Sequence, residues 1–460
     1  MALRRLDPTL YPLPRLAMQA PAEGLAYVAT CQVNGQPDAL WVVDLAPHSP
    51  SYGQMVYAVQ LPYVGDEIHH LGWNTCSSAL SPFAPSRFLE RRYLVVAGLR
   101  SSRIYILDTK PDPRKPRLLK TVASEELRRR TGYTRPYAVR CGPEGIYISA
   151  LGTGDGDGPG GLCWLDHEDF EASGPWEVER GPQWLSGDVG WHVGHGVGIT
   201  SEWGPPSHIE NGLRLVDVVN RCFGHRLHLW DLHDRRHLQA LELGDDYQMV
   251  LALCPAHHPA RAYGFAGVVI SVQDLSSSIW LWYREAHRWA LRKIITIPAE
   301  AADPGGLPPI PRVLQAVPPL LTDLHLSLDD RFLYVSCWGS GELRQYDMSD
   351  PLSPRFVGMV RLGGIGHQTA HPKGGPMSGG PQMIAVSRDG RRVYVTNSFY
   401  SRWDDQFYPG FRGWMVKLQA HPAGGLALDP GFFVDFGEGR PHQIRLQGGD
   451  RSSDSFCYDA

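Results

Sequence analysis

Leu328-Asp329-Asp330-Arg331-Phe332-Leu333-Tyr334-Val335-Ser336, followed by Leu343-Arg344-Gln345-Tyr346-Asp347, reads as two β-strands joined by polar turns. About 60 residues on, Ser387-Arg388-Asp389-Gly390-Arg391-Arg392-Val393-Tyr394-Val395-Thr396 repeats the first half of that pattern. β-Branched and aromatic residues alternate in both copies, and Asp-Asp or Asp-Gly stands where a hairpin turns. Upstream, Tyr27-Val28-Ala29-Thr30 precedes Trp41-Val42-Val43-Asp44, and Tyr93-Leu94-Val95-Val96 precedes Ile104-Tyr105-Ile106-Leu107-Asp108. Ile146-Tyr147-Ile148-Ser149 leads to Trp164-Leu165-Asp166, and Val197-Gly198-Ile199-Thr200 to Leu229-Trp230-Asp231. A weaker copy, Val268-Val269-Ile270-Ser271 with Ile279-Trp280-Leu281-Trp282, ends in Tyr283 instead of aspartate. These make seven units, each a small antiparallel sheet that cannot bury both faces alone. Radial packing of such sheets buries them, so the fold expected is all-β, a seven-bladed β-propeller. A pair of β-sandwich domains is the competing architecture, and the absence of a linker between units argues against it. The expected layout is a single propeller domain over 1–460, with an N-terminal extension at about 1–20. Residues 298–318 form a Pro/Gly-rich loop insertion, and residues 124–130 are a short charged helix.

The composition agrees. The chain has 460 residues, 43% apolar and 20% charged, with 50 Gly and 38 Pro to supply turns. A net charge of −4 gives no electrostatic footprint for nucleic acid or an anionic membrane. The eight cysteines show no CxxC spacing, and neither a zinc ribbon nor a disulfide framework is indicated. The apolar run a secretory signal needs is broken by Asp7, Pro8, Pro12, Pro14 and Arg15. The expectation is a cytoplasmic protein with reduced thiols.

Nineteen histidines are the main chemical inventory. The adjacent pair His69-His70 lies in Asp66-Glu67-Ile68-His69-His70-Leu71-Gly72-Trp73-Asn74-Thr75-Cys76-Ser77-Ser78, which reads as the connection into the second blade. On extended backbone two adjacent rings point to opposite faces, so both serve one metal only if the chain turns. Imidazole suits copper, zinc or iron. The alternative is that both rings simply hydrogen-bond Asp66, Glu67 and nearby carbonyls. Cys76 is a soft ligand or nucleophile if exposed and inert core if not. His192 and His195 share a turn but lack a third ligand, and His442 stands alone near the end. No GxSxG elbow, Walker loop or HExxH occurs in credible context, and the glycine-rich run at 152–158 reads as a flexible hairpin.

Several long segments carry a resemblance: residues 66–78, Ser201-Glu202-Trp203, residues 326–347, Gly379 to Met383, Trp403 to Pro409, Phe433 to Gly437 and Gly448 to Asp454. In content and order the chain resembles the selenium-binding protein family, whose members include methanethiol oxidases. The resemblance covers nearly everything from residue 20 onward. It implies a propeller and copper-dependent oxidation of methanethiol, with O2 and water, to formaldehyde, hydrogen sulfide and hydrogen peroxide. It implies copper ligands at His69, His70 and His442 and, as partners, a small thiol and O2; Asp66, Glu67 and Cys76 are the expected catalytic residues beside them, Asp66 or Glu67 orienting an imidazole or accepting a proton. Two departures stand against it. The family's HxxHC segment reads Tyr137-Ala138-Val139-Arg140-Cys141 here, and a guanidinium cannot ligate copper and repels it unless Asp66 or Glu67 pairs with it. The family's selenium-carrying cysteine, expected just after Tyr52, is Gly53, which excludes covalent carriage there. The alternative function is a non-catalytic propeller that scaffolds partners or binds anionic small molecules.

Overall fold

The chain is known from a computed structural model that describes residues 5–458 apart from 83 and 155, with only the backbone of Pro304. Residues 1–4 of the N-terminal extension and Asp155 of the glycine-rich hairpin lie outside the described residues. Seven four-stranded antiparallel sheets form a seven-bladed β-propeller. Blade 1 holds Leu25–Cys31, Ala39–Asp44 and Met55–Gln60, and the C-terminal strand Arg440–Leu446 completes it as its innermost strand. The first and last segments of the chain thereby close the ring. In the other blades the innermost strands are Ile68–Trp73, Tyr133–Cys141, Val189–His192, Tyr247–Pro255, Leu321–Leu326 and Ile384–Val386.

Strand alternation packs the blades against one another. In blade 2, Leu94 and Val96 pack with Tyr27, Leu40 and Val42 of blade 1, while Val95 and Ala97 pack with Val139, Ile146 and Ile148 of blade 3. The repeated aspartates also have a structural cause. Asp44, Asp108, Asp166, Asp231 and Asp347 each accept, through Oδ1, the backbone N–H two residues ahead, at 2.7–3.1 Å. This Asx turn ends the third strand of five blades. In blade 7, His421 Nδ1 accepts the Ala423 N–H (3.1 Å) in the same way. Blade 5 dispenses with the device, because Tyr283 lies within a strand that runs on to Glu285 and pairs there with Arg288 across a two-residue turn. The two sequence copies that define the fold superpose chemically: Ser327 and Ser387 each donate to the aspartate two residues on and accept the N–H five residues on.

Burial opposes ionisation of Asp44, but Ser49, Ser51, the Ala46 N–H and Arg114 outweigh it and bring its carboxyl down to about 2. Asp108, paired with Arg92, and Asp347, bonded to Ser349, are lowered as well. Folded values below the unfolded value of about 3.9 mean stability that is full above that pH and lost as pH falls toward about 2. The urea midpoint is expected to drop steeply between pH 5 and pH 2.5, and Asp44→Asn to shallow that slope. An unchanged slope would show that these turns carry no such linkage.

Two readings of the sequence are refined. Residues 298–318 are a long connection, yet they fold into a strand pair (Glu300–Ala301 with Ala316–Val317) and the helix Pro309–Leu314. The 124–130 segment is the helix Ser124–Thr131, as expected. No helix among the described residues is long and apolar enough to cross a membrane.

Candidate metal centre

His69 and His70 do not lie in a connection. They sit on Ile68–Trp73, the innermost strand of blade 2, facing the central channel. The register there steps from Ile68 opposite Gly98 to Leu71 opposite Val96, so three residues span the space of two. That β-bulge breaks the two-residue alternation and lets neighbouring side chains serve one space. The same irregularity falls between Pro136 and Val139 in blade 3, and between Pro441 and Ile444, which pair with Thr30 and Val28, in blade 1. His69, Tyr137 and His442 thus occupy equivalent bulge positions on three neighbouring blades.

The rings gather accordingly. His69 and His442 stack with centroids 4.5 Å apart, and His70 meets His442 edge-on at 5.0 Å. Tyr137 packs on His70 at 4.2 Å and Tyr400 on His69 at 4.5 Å. All three histidines are buried, and His69 Nδ1, His70 Nδ1 and His442 Nε2 have no hydrogen-bond partner. Buried nitrogens are rarely left so. The tautomers follow from the opposite edges of two rings: His442 Nδ1–H donates to the Ser398 carbonyl (2.9 Å), and His69 Nε2 faces Glu67 Oε1 at 3.5 Å. Burial first, and the neighbouring imidazoles second, push the pKa values of His70 and His442 well below the usual histidine range, which keeps both rings neutral. Three buried imidazoles, each with a partnerless ring nitrogen, offer the donor type that suits copper, zinc or iron, although the ligand atoms of all three do not come within 4.8 Å of one another.

Glu67 is held from several sides. Its carboxylate accepts the Ser401 N–H (3.0 Å), the Ser401 hydroxyl (2.7 Å) and the Arg100 guanidinium. Burial favours the neutral acid, but His69, Arg100 and Ser401 together hold the carboxyl well below the ordinary range. A carboxylate so stabilised is a poor proton acceptor, and its Oε1 lies 3.5 Å from His69 Nε2. Asp66 does neither for these rings, since its oxygens accept from Arg103 (3.0 Å) and the Tyr105 hydroxyl (2.7 Å) within blade 2. Cys76 lies past the far end of the histidine strand. It is buried, with its sulfur 3.0 Å from Ser78 Oγ and 3.6 Å from the Cys141 carbonyl, and it belongs to the opposite mouth of the channel.

The arginine problem resolves differently from the expectation that Asp66 or Glu67 would compensate it. Arg140 donates to both oxygens of Asp188 at 3.0 Å, on the inner face of the next blade. Gly53 takes φ of 70°, a left-handed conformation that disfavours a cysteine, and its N–H donates to the Asp44 carbonyl.

Several contributors come from residues the sequence reading passed over. Tyr400, Ser398 and Ser401 belong to the connection after the strand Arg392–Thr396, and Trp203 donates its indole N–H to the Tyr400 oxygen (3.0 Å). With Phe399 and Trp403 they form an aromatic roof over the histidines. One signal was available: Arg135-Pro136-Tyr137-Ala138-Val139-Arg140 and Arg440-Pro441-His442-Gln443-Ile444-Arg445 share the pattern RPxx[VI]R. It aligns Tyr137 with His442 and Arg140 with Arg445.

This arrangement can be set beside known proteins. The model of the 56 kDa selenium binding protein family matches residues 4–457. The chain belongs to that family. A methanethiol oxidase of Xenopus tropicalis is 39% identical over 475 residues, covering 96% of this chain and 97% of the relative. The human methanethiol oxidase is 38% identical over 480 residues with the same coverage, and selenium-binding protein 2 of Mus musculus is 36% identical over 475 residues. Among solved structures, a hypothetical selenium-binding protein of Sulfolobus tokodaii is 53% identical, with a TM-score of 0.96 over 98% of this chain and 100% of that one. The periplasmic gluconolactonase of Pseudomonas aeruginosa, 14% identical with a TM-score of 0.54, shares the fold alone.

Proposed function

We propose that this family member is a copper-dependent methanethiol oxidase. The observation that carries the reading is the set of three partnerless, buried imidazole nitrogens on His69, His70 and His442. The relatives named methanethiol oxidase support the substrate and the reaction. The reaction balances with equal amounts of methanethiol, O2 and water giving equal amounts of formaldehyde, hydrogen sulfide and hydrogen peroxide. The methyl carbon is oxidised, the C–S bond breaks, and O2 takes up two electrons as peroxide. Copper bound by the three histidines would supply a Lewis acid for the sulfur and a redox centre for O2.

The protein's own residues define the chamber. Ser398 fixes the His442 ring, and Glu67, charged throughout the neutral range, fixes His69 and offsets part of a bound cation's charge. Burial pushes the phenols of Tyr137 and Tyr400 far up, so both remain protonated and able to donate a hydrogen bond to a sulfur anion. The aromatic roof buries the three histidines away from bulk water. Arg140 is paired with Asp188, which reduces the repulsion an unpaired guanidinium would exert without abolishing it, since Arg140 still helps to lower the pKa of His70. Asp66 and Cys76 act through structure: one ties the blade edge, the other packs the far mouth. The reading includes a cytoplasmic location, supported by eight cysteines that are all free.

Tyr137→His is the direct test of the bulge equivalence. It places a fourth imidazole opposite His70 and is expected to raise copper affinity about tenfold or more, measured by competition with a chromophoric chelator. Unchanged affinity would show that the third-blade bulge does not face the ion. Arg140→His should not help, because it strands Asp188. Copper analysis of the purified protein separates this reading from a non-catalytic propeller.

A further inference from the structure

We propose that His208, Asp217 and Cys222 form a second metal site, of the zinc class, which clamps the segment roofing the histidine chamber. The three lie in the long connection of blade 4 after the strand Val197–Ser201, His208 on the short helix Pro206–Ile209 and Asp217 on Leu215–Val219. Their ligand atoms all lie within 4.8 Å of one another. The backbone holds this arrangement: the Cys222 N–H donates to the Asp217 carbonyl (2.9 Å), and the left-handed Arg221 (φ 57°) turns the chain back so that thiol and carboxylate meet. His208 Nδ1 is shut off from solvent, lies 3.2 Å from Asp217 Oδ2 and forms no hydrogen bond there. An imidazole nitrogen beside a carboxylate and a thiol, with all three ligand atoms within 4.8 Å of one another, is a donor set that a metal ion can bridge. One nitrogen, one oxygen and one sulfur ligand suit tetrahedral Zn2+, with solvent in the fourth position. Binding would require loss of the Cys222 thiol proton.

Arg214 currently serves the carboxylate, donating to Oδ2 from Nε (2.8 Å) and to Oδ1 from Nη2 (2.6 Å). Its side chain is 66% exposed, so it can leave for water at small cost and acts as a competitor, not a barrier. The site reaches the histidine chamber through packed rings. His208 stands edge-on to Phe223 (6.2 Å), Phe223 stacks on Trp203 (5.8 Å), and Trp203 is bonded to Tyr400 above His69. A bound ion would therefore stiffen the roof without touching the first site.

Co2+ added to the full-length protein is the test, because a thiolate ligand gives a sulfur-to-cobalt charge-transfer band that the all-histidine site cannot produce. The expected result is such a band in wild type and in His70→Ala, bleached by Zn2+ and absent from Cys222→Ser. His208→Ala should weaken Co2+ binding at least tenfold, and Arg214→Ala should tighten it about three- to fivefold. Zn2+ should slow hydrogen exchange across residues 202–225. No band in wild type, or a band that survives Cys222→Ser, would overturn the proposal. Either result leaves the copper reading standing, since that reading is judged on copper content and the His69, His70 and His442 variants.

Discussion

His442→Ala is expected to lower copper affinity by on the order of a hundredfold or more and to abolish thiol oxidation, while His421→Ala, at an outer turn of blade 7, changes neither. The asymmetry follows from placement. His442 is the ring that both other imidazoles contact, at 4.5 and 5.0 Å, and its Nε2 is a buried lone pair with nothing else to bind. His421 spends its Nδ1 on a backbone N–H. Its removal costs a turn and leaves the channel alone. Chelator competition on the two variants gives the comparison. Equal copper affinity for His442→Ala and wild type would mean that the blade 1 strand does not contribute a ligand.

Asp454→Ala is expected to cost about 3–5 kcal/mol of stability, the usual consequence of removing one member of a buried ion cluster. The Asp454 carboxylate sits between the fully buried Arg91 and the nearly buried Arg388 and also accepts the Ser77 N–H and hydroxyl, at 2.9 and 2.7 Å. Burial opposes its charge, but Arg388 and Arg91 hold the carboxyl far below the ordinary range. Alanine would leave two guanidinium groups and a backbone donor without their anion. The loss has a place as well as a size, because residues 451–456 line the channel mouth opposite the histidines, with Arg451 bonded to His325 (2.8 Å). Urea denaturation of Asp454→Ala should show the full loss, and Asp389→Ala, in a half-buried turn of blade 7, less. A cost below about 1 kcal/mol would mean that the cluster is not a structural anchor.

The blade count was readable in the sequence because the blades repeat an alternating strand pair, which in five of the seven ends in an aspartate that caps the next turn. Blade 5 was the faintest copy for the same reason: it turns without that aspartate. Ring closure was not readable, since strand order depends on Arg440–Leu446 reaching back to Leu25–Cys31 across the whole chain. The site was only half legible. His69 and His70 stood out as a pair, but strand periodicity alone sends them to opposite faces, and the bulge that reconciles them shows only in the pairing with Gly98 and Val96. The partner of Arg140 was not readable, because Asp188 belongs to the next blade, whereas Asp66 and Glu67 stand beside the His69-His70 pair in the sequence. Tyr400 and Ser401 reach His69 and Glu67 from more than 300 residues away, a distance at which spacing carries no signal.

The most direct measurement is copper content and methanethiol turnover on one preparation, before and after removal and return of the metal, for wild type and for His69→Ala/His70→Ala. The account predicts one copper per chain in wild type and formation of hydrogen sulfide and hydrogen peroxide that is lost on chelation and restored by copper. It predicts that the double variant does neither. Turnover that persists in the metal-free protein, or a tightly held copper that supports no methanethiol oxidation, would contradict it.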